Sequence, residues 1–234
     1  MYTELKCCRI CKNKNLFSVV DLGDQALTGV FPKNISQSVT SGPVQLVKCV
    51  GENNCGLLQL AHSYDINEMY GDNYGYRSGL NNSMVAHLEK KVKQIEENYE
   101  IKDQDLIVDI GSNDCTTLKA YSKKNLHLVG IDPTGEKFRE FYPEDITLIS
   151  DFFGSDLLAN KFENKKAKII TSFAMFYDLE DPMHFMSEIE SVLDINGVWI
   201  FEQSYMPQMI LTNSFDTACH EHLEFYALKQ IKWM

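Results

Sequence analysis

Leu-Ile-Val-Asp-Ile-Gly-Ser-Asn-Asp-Cys at residues 106–115 and Leu-His-Leu-Val-Gly-Ile-Asp-Pro at residues 126–133 decide the fold of this chain. Each stretch starts with a short apolar run rich in β-branched residues and ends in a polar loop, as buried strands do. Three further runs of strand length follow, at Ile146–Ile149, Lys168–Phe173 and Val198–Phe201. The clearest intervening helix covers 181–193, with Asp181 as its expected cap and Pro182 at its first position. Strands that alternate with helices predict an α/β fold with a parallel sheet and right-handed crossovers.

The loop after the first strand predicts the kind of cofactor. A dinucleotide-binding loop needs three glycines so that its backbone can approach a pyrophosphate, whereas only Gly111 is present here. Asp109, Asp114 and Asp132 would also repel phosphate groups. S-adenosylmethionine has no phosphate and carries two cationic groups, so acidic surroundings favour it over NAD. Asp132 ends the second strand, where such folds hold the two ribose hydroxyls.

The other predicted cofactor contacts come from the same loops and from the end of the third strand. They are Ser112, Asn113, Pro133, Asp151 and Phe152. We expect the Asp151 carboxylate to meet the exocyclic amine of adenine and the neighbouring ring to stack on the base. The alternative is a parallel sheet whose loops carry ordinary acidic caps, and the loop alone leaves both readings open.

Composition limits the partners and the compartment. A chain of 234 residues with 44% hydrophobic and 24% charged residues holds one large globular domain, or a smaller one with an appendage. Its net charge of −11 argues against nucleic acid or an anionic membrane as the main partner. No apolar run approaches the ~20 residues of a bilayer span, and the N-terminus lacks a signal-peptide core. Seven cysteines without a secretion signal then indicate a reducing cytoplasm.

Two pairs of cysteines near the N-terminus predict a zinc site. Cys8 and Cys11 have the Cys-x-x-Cys spacing, and Cys49 and Cys55 form a second, looser pair. The turn-rich segment between the pairs is too short to bury much apolar surface, so four thiolates around zinc would hold it together. Cys7 can replace Cys8 as a ligand, and scattered buried thiols are the alternative to a metal site.

Residues 64–98 combine a tyrosine-rich stretch with a helix. The tyrosines are followed by Arg77 and comprise Tyr64, Tyr70, Tyr74 and Tyr76. Phenols beside an arginine suit a sugar or ketone pocket, although packing is the simpler explanation. Asn82 or Ser83 is the expected cap of a helix that runs to about Asn98, with apolar residues at helical spacing on its core face.

The consecutive residues His220, Glu221 and His222 are the strongest candidates for chemistry. Histidine has an unperturbed pKa of about 6.5, which suits proton abstraction near neutral pH, and a neighbouring carboxylate stabilises the imidazolium that forms. One alternative is a hydrogen-bonded corner without chemistry. Another is a metal site, for which no third ligand is evident nearby.

With these features assembled, the chain resembles the nucleotide-sugar C-methyltransferases that act on 4-ketohexoses. The resemblance covers essentially the whole chain. It rests on the motifs Cys8-Arg9-Ile10-Cys11, Asp21-Leu22-Gly23-Asp24-Gln25-Ala26-Leu27, Cys55-Gly56-Leu57-Leu58-Gln59-Leu60, Ile110-Gly111-Ser112-Asn113-Asp114, Gly130-Ile131-Asp132-Pro133 and His220-Glu221-His222. It implies an N-terminal zinc lobe, a central class I (Rossmann-like) domain for S-adenosylmethionine, and a C-terminal domain that holds the nucleotide.

The resemblance also implies a mechanism. A base removes the proton next to a ketone, and the enolate carbon then attacks the cofactor's methyl group. His222 is the expected base, and Glu221 is expected to orient it or to bind the sugar. His220 is expected to support these two residues without touching the substrate. Tyr74 and Tyr76 are expected to donate hydrogen bonds to the developing enolate oxygen.

Two substitutions and the chain's length depart from that family. Cys115 stands where a glycine is usual and is expected to crowd the cofactor, and Cys219 replaces a tyrosine of many relatives with a weaker donor. The predicted parts are a zinc-binding lobe at 1–62, a tyrosine-rich segment with a linker helix at 63–100, and a C-terminally incomplete methyltransferase domain at 101–234. A missing C-terminal domain or a partner chain would complete it. The alternatives are O- or N-methylation of a sugar, or a zinc-containing binding protein that has lost catalysis.

Overall fold

The strands and helices lie close to their predicted positions. The structure is a computed structural model that describes residues 2–28, 30, 32–70 and 74–234. Its strands are β1 (Tyr2–Glu4), β2 (Leu16–Ala26), β3 (Ser41–Cys49), β4 (Leu58–Leu60), β5 (His62–Tyr64), β6 (Leu106–Ile110), β7 (His127–Ile131), β8 (Ile146–Ile149), β9 (Ala167–Phe173), β10 (Leu193–Glu202) and β11 (Glu224–Phe225). Its α-helices are α1 (Ile66–Met69), α2 (Asn82–Asn98), α3 (Thr116–Lys119), α4 (Ser155–Lys161), α5 (Pro182–Val192), α6 (Met206–Thr212) and α7 (Leu228–Trp233). Short 3-10 helices cover Ser78–Leu80, Gly135–Phe141 and Phe176–Asp178.

A parallel sheet of five strands forms the larger core, in the order β10-β9-β6-β7-β8. The predicted α/β fold with a parallel sheet is therefore confirmed. Every residue of the central strand β6 is buried. Side chains from β6, β9, α2 and α3 pack in one cluster that includes Val92, Ile95, Ile107, Leu118 and Ile169. The loops that follow β6 and β7 leave the same edge of this sheet, which is where parallel sheets bind ligands.

The fifth strand differs from its prediction. β10 begins at Leu193 instead of Val198, because residues 194–197 form an irregularity within the strand and not a turn before it. At Gly197 the chain approaches β9 so closely that a Cβ atom would lie 2.7 Å from the carbonyl oxygen of Ala167. A glycine therefore belongs to the strand here because no side chain fits.

Two helices test the predicted caps. The backbone N–H of His184 donates to the Asp181 carboxylate at 3.2 Å at the start of α5, so this cap is confirmed. The predicted cap of α2 at Asn82 or Ser83 is wrong by one or two residues. Asn81 caps that helix, because its side-chain oxygen accepts from the backbone N–H of Ser83 at 3.0 Å and from its hydroxyl at 2.8 Å.

An antiparallel sheet in the order β11-β4-β3-β2 organises the N-terminal residues, and β1 pairs with β5 beside it. The C-terminal strand β11 joins this sheet by pairing with β4, and the N–H of Leu60 donates to the carbonyl of Leu223 at 2.8 Å. The apolar side chains behind the sheet include Leu27, Val44, Leu46, Met69, Leu223 and Phe225. The segment that contains the histidines is therefore built onto the N-terminal sheet.

The contacts divide the chain into two compact units. The cysteine unit consists of Met1–Gly75, Ala174–Phe185 and Gln203–Met234, and the parallel-sheet unit consists of Tyr76–Phe173 and Met186–Glu202. The predicted domain bounds at residues 62 and 100 stay a prediction. Within the described ranges, no helix combines the length and the apolar character that crossing a membrane requires.

Candidate functional site

Four cysteines of the cysteine unit come together as one cluster. The Sγ atoms of Cys8, Cys11, Cys49 and Cys55 all lie within 4.8 Å of one another. Sulfur atoms are 3.4 Å apart between Cys8 and Cys55, and 3.5 Å apart between Cys11 and Cys49. Tetrahedral zinc with Zn–S bonds of about 2.3 Å places its sulfur ligands roughly 3.8 Å apart, so the donor set and the spacing fit a zinc ion. Of the two adjacent cysteines, Cys8 belongs to the cluster and Cys7 does not.

The surroundings of the cluster suit a structural metal. Cys8, Cys49 and Cys55 are 0–1% exposed, which leaves little access for a water ligand. Burial raises the pKa of the Cys49 thiol, so a bound cation is what would favour its thiolate form. The side-chain amide of Asn13 donates to the Cys49 sulfur at 3.3 Å, which is a contact typical of a zinc-bound thiolate.

In the parallel-sheet unit, the loop after β6 starts with a tight turn. Gly111 has a φ of +74°, a left-handed conformation that favours glycine, and its N–H donates to the carbonyl of Ile131 at 2.8 Å. The Tyr142 hydroxyl donates to the carbonyl of Asn113 at 3.0 Å, so the Ser112 hydroxyl is the donor in its 2.8 Å contact with Tyr142. These bonds fix the loop backbone where the predicted cofactor residues begin.

Asp132 is held rigidly at the end of β7. Its Oδ1 atom accepts from the backbone N–H and the hydroxyl of Thr134 at 2.7 and 2.6 Å, and its Oδ2 atom accepts from the N–H of Asn113 at 2.8 Å. A carboxylate oxygen can accept two hydrogen bonds, so Oδ2 keeps one site for a further donor. This carboxylate can therefore bind a ribose hydroxyl while it ties the two loops together.

The remaining predicted cofactor residues have contrasting surroundings. Asp109 is 2% exposed, and burial raises the pKa of its carboxyl to about 7, although the Thr171 hydroxyl donates to it at 2.5 Å. Asp151 and Phe152 are exposed after β8, and the N–H of Phe152 donates to the Asp151 carboxylate at 2.8 Å. Pro133 is half-buried. Contact of these residues with the cofactor stays a prediction.

Asn113 and Asp114 have a role that the sequence did not indicate. The Asn113 side chain accepts from the N–H of Ser78 at 2.9 Å and donates to the carbonyl of Tyr76 at 3.2 Å. The Asp114 carboxylate accepts from the N–H of Gly79 at 2.9 Å. The two side chains thus anchor residues 76–79 to the loop after β6, and the Tyr76 ring itself is 49% exposed.

Cys115, whose crowding of the cofactor stays a prediction, has an unusual backbone conformation. It has a φ of +68°, and its side chain is fully buried in the core cluster with Leu118 and Ile107. The thiol therefore occupies the hydrophobic core, and the cost of the substitution for glycine is a strained backbone at this one position.

In the cysteine unit, His220 uses both ring nitrogens within the protein. Its Nε2 atom donates to the carbonyl of Gly42 at 3.1 Å, and its Nδ1 atom faces the N–H and hydroxyl of Thr28 at 3.4 Å. The residue is 1% exposed, and burial lowers the pKa of its imidazole. His220 therefore supports the segment, as a neutral and fully engaged side chain.

His222 is arranged differently. Its Nδ1 atom lies 2.9 Å from the carbonyl oxygen of Thr217, and a carbonyl only accepts, so Nδ1 carries the proton. The neutral ring consequently has its lone pair on Nε2, which is the form required of a proton acceptor. The ring packs edge-on against Tyr177 with centroids 4.4 Å apart. Beside it, the Oε1 atom of Glu221 is buried without a hydrogen-bond partner among the described residues, and burial raises the pKa of this carboxyl.

Two further side chains belong to this region: Asp178, which sequence reasoning missed, and Tyr70, one of the tyrosines that the sequence assigned to a pocket. Asp178 interacts electrostatically with His222, Glu221 and Tyr70, and burial raises the pKa of its carboxyl well above the ordinary value. Tyr70 packs against Tyr74 with ring centroids 5.5 Å apart. The position of Asp178, in the segment that follows the parallel strand β9, is the signal that could have identified it.

Two segments of the chain are similar to known protein families. Residues 8–70 match the family described as "Putative zinc binding domain", and residues 108–201 match the family described as "Methyltransferase domain". The C-methyltransferase NovU of Streptomyces niveus is 24% identical over 226 residues, which cover 94% of this chain and 52% of NovU. This chain thus spans about half the length of that curated relative.

A solved structure shares the fold. In the complex between the Haloferax volcanii Trm112 methyltransferase activator and a "putative methyltransferase", the matching chain has a TM-score of 0.50 and 17% identity. The match covers 65% of this chain and 70% of that chain. The predicted class I fold, the zinc-binding part and the two cofactors, S-adenosylmethionine and zinc, are confirmed by these matches together with the four-cysteine cluster.

Proposed function

Since the chain joins a zinc-binding domain to a class I methyltransferase domain, we propose that it transfers a methyl group to a carbon atom of a nucleotide-linked 4-ketosugar. The observation that carries this proposal is the tautomer of His222, whose Nδ1–H bond to Thr217 leaves Nε2 of the neutral ring as the proton acceptor. The 24% identity to a C-methyltransferase supports the same reaction type.

The proposed reaction has two steps. The Nε2 atom of His222 takes the proton from the carbon next to the ketone, and the electrons of that C–H bond form the enolate. S-adenosylmethionine, when bound, supplies an electrophilic methyl group. Asp132 and the loop from Gly111 to Asn113 would hold this cofactor, whose methyl group would pass to the enolate carbon with the sulfur retaining the electron pair of the S–methyl bond and the ketone re-forming. General base catalysis of this kind is typically worth about 10²–10⁴-fold.

The other residues of the two units have supporting roles. Asp132 binds the ribose with the free acceptor site of Oδ2, and the loop from Gly111 to Asn113 frames the rest of the cofactor. Zinc stabilises the sheet onto which the His222 segment is built. Glu221 orients the base or binds the sugar. The sugar, the nucleotide and a domain or partner chain that completes the enzyme stay predictions.

The test is solvent deuterium exchange at the carbon next to the ketone, followed by methyl transfer from labelled cofactor. We expect the wild-type chain to catalyse exchange without cofactor, and His222→Gln to lose both exchange and transfer. Methyl transfer without exchange would instead indicate O- or N-methylation. Binding of the nucleotide sugar with neither activity would favour the zinc-containing binding protein.

A further inference from the structure

The surroundings of His222 contain polar atoms that the protein leaves unused. Oδ1 of Asp178, the hydroxyl of Tyr70 and Oε1 of Glu221 are all buried without a well-formed hydrogen bond among the described residues, and the Tyr70 hydroxyl faces the Asp178 carboxyl. A buried polar atom without a partner costs about 1–3 kcal/mol, and such atoms are rare in native proteins. Asp178 and Glu221 both interact electrostatically with His222, and Tyr70 interacts with both carboxyls, so these unused atoms indicate a place where a polar ligand atom belongs.

The charges of this cluster favour an electron-rich ligand atom. Burial raises the pKa of both carboxyl groups, and a charge on Glu221 raises the pKa of Asp178 further. Around Asp178 the other titratable groups are Tyr70, His222, Cys219 and Glu224, and none is a permanent cation. A neutral carboxyl and a phenol both offer O–H groups, so together they suit an oxygen atom that gains negative charge.

On the premise of the proposed function, we propose that the Tyr70 hydroxyl and the Asp178 carboxyl bind the ketone oxygen of the substrate and stabilise the enolate. They would take over the role that the sequence assigned to Tyr74 and Tyr76. They would also supply the hydrogen bond that Cys219 cannot, because its buried thiol is a weak donor. No proton needs to leave the pair, because the hydrogen bonds strengthen as the C–H electrons move into the enolate and weaken again when the ketone is restored.

The experiment uses the full chain with the thymidine, uridine and guanosine diphosphate 4-keto-6-deoxyhexoses. Deuterium exchange without cofactor, kcat and KM for methyl transfer, and the melting temperature are measured for each variant. We expect Tyr70→Phe to lower exchange and kcat together by about 10²-fold, the size of effect seen when one oxyanion donor is removed. Its melting temperature and its Kd for S-adenosylmethionine should match those of the wild type.

Tyr226→Phe is the matched control. The Tyr226 hydroxyl is also buried without a hydrogen-bond partner among the described residues, but its electrostatic neighbours are Glu224, Arg9, Cys8 and Cys55. This variant should keep the wild-type exchange rate. A Tyr70→Phe chain that keeps exchange within threefold of the active wild type overturns the inference alone. A wild-type chain with no exchange on any of the three sugars overturns the proposed function.

Asp178 gives an independent test should Tyr70→Phe fail to fold. We expect Asp178→Ala to lose about 10²-fold in exchange, and Asp178→Asn to recover part of this loss because its amide N–H can still donate. An Asn variant no better than Ala, with the same melting temperature, would overturn the assignment of Asp178 as a donor. Equal loss of exchange in both variants would instead indicate that the reaction requires a carboxylate at this position.

Discussion

The side-chain amide of Gln230 donates a hydrogen bond of 2.7 Å to the carbonyl oxygen of Cys55. Gln230 lies on α7 and is 3% exposed, so the last helix is tied directly to a residue of the four-cysteine cluster. β11 makes a second link, because it pairs with β4 immediately after that cluster. The His220–His222 segment precedes β11 by a single residue. Order in the cysteine cluster is therefore coupled to order in the segment that contains the proposed base.

This coupling predicts that loss of zinc destabilises more than the N-terminal residues. We expect Cys49→Ser to lower the zinc content from about one ion per chain and to lower the melting temperature, because structural zinc sites contribute directly to folding. Increased proteolysis near residues 217–222 should accompany the loss. Metal analysis, thermal unfolding and limited proteolysis measure the three effects. Cys7→Ser is the control and should keep its zinc, since Cys7 lies outside the cluster; equal metal loss in both variants would contradict the ligand set.

The two histidines should respond in opposite ways to replacement by glutamine. His222→Gln is expected to lose about 10²–10⁴-fold in deuterium exchange with little change in stability, because the base is removed while an amide can still donate to the carbonyl of Thr217. His220→Gln is expected to cost about 1–3 kcal/mol of stability, because its bonds to Gly42 and Thr28 are buried. Exchange assays and urea unfolding separate the two effects. Comparable losses of exchange in two equally stable variants would contradict these assignments.

The sequence predicted features whose residues lie close together along the chain better than features whose residues come from distant segments. β6, β8 and the Asp181 cap follow from patterns a few residues long, and the cysteine pairs reveal their metal site through a shared side-chain type. Tyr70, Asp178 and His222 share no such pattern, because three separate segments bring them together. The start of β10 also differs from the predicted Val198, because the close approach of Gly197 to β9 depends on a neighbouring strand and not on the local pattern.

Asp109 should make the stability of the chain fall as pH rises. The pKa of this buried carboxyl is about 7 in the folded chain, against about 3.9 for an unfolded Asp. Its contribution is therefore fully present below about pH 4, is lost progressively as pH rises towards 7, and changes no further above that, with a span of about 4 kcal/mol.

Asp109→Asn removes this dependence, so its stability relative to wild type should increase between pH 4.5 and pH 8. Urea unfolding at both pH values, without cofactor, measures the difference. Asp145→Asn, at an exposed carboxyl, is the control for the loss of one charge. A change between the two pH values no larger for Asp109→Asn than for this control would contradict the raised pKa of Asp109.

The loop after β6 should discriminate between cofactors. We expect calorimetry to detect binding of S-adenosylmethionine but not of NAD, because the loop has one glycine and three aspartates where a pyrophosphate would lie.

Asp132 should distinguish ligands by their ribose hydroxyls. Asp132→Asn should weaken adenosine by about 10- to 100-fold, the loss of a charge-assisted hydrogen bond worth about 1.5–3 kcal/mol. Its affinity for 2′,3′-dideoxyadenosine should be unchanged, because that analogue has no hydroxyl for Oδ2 to accept from. If the substitution weakened both ligands equally, Asp132 would act only by holding Asn113 and Thr134 in place, and the ribose would be bound elsewhere.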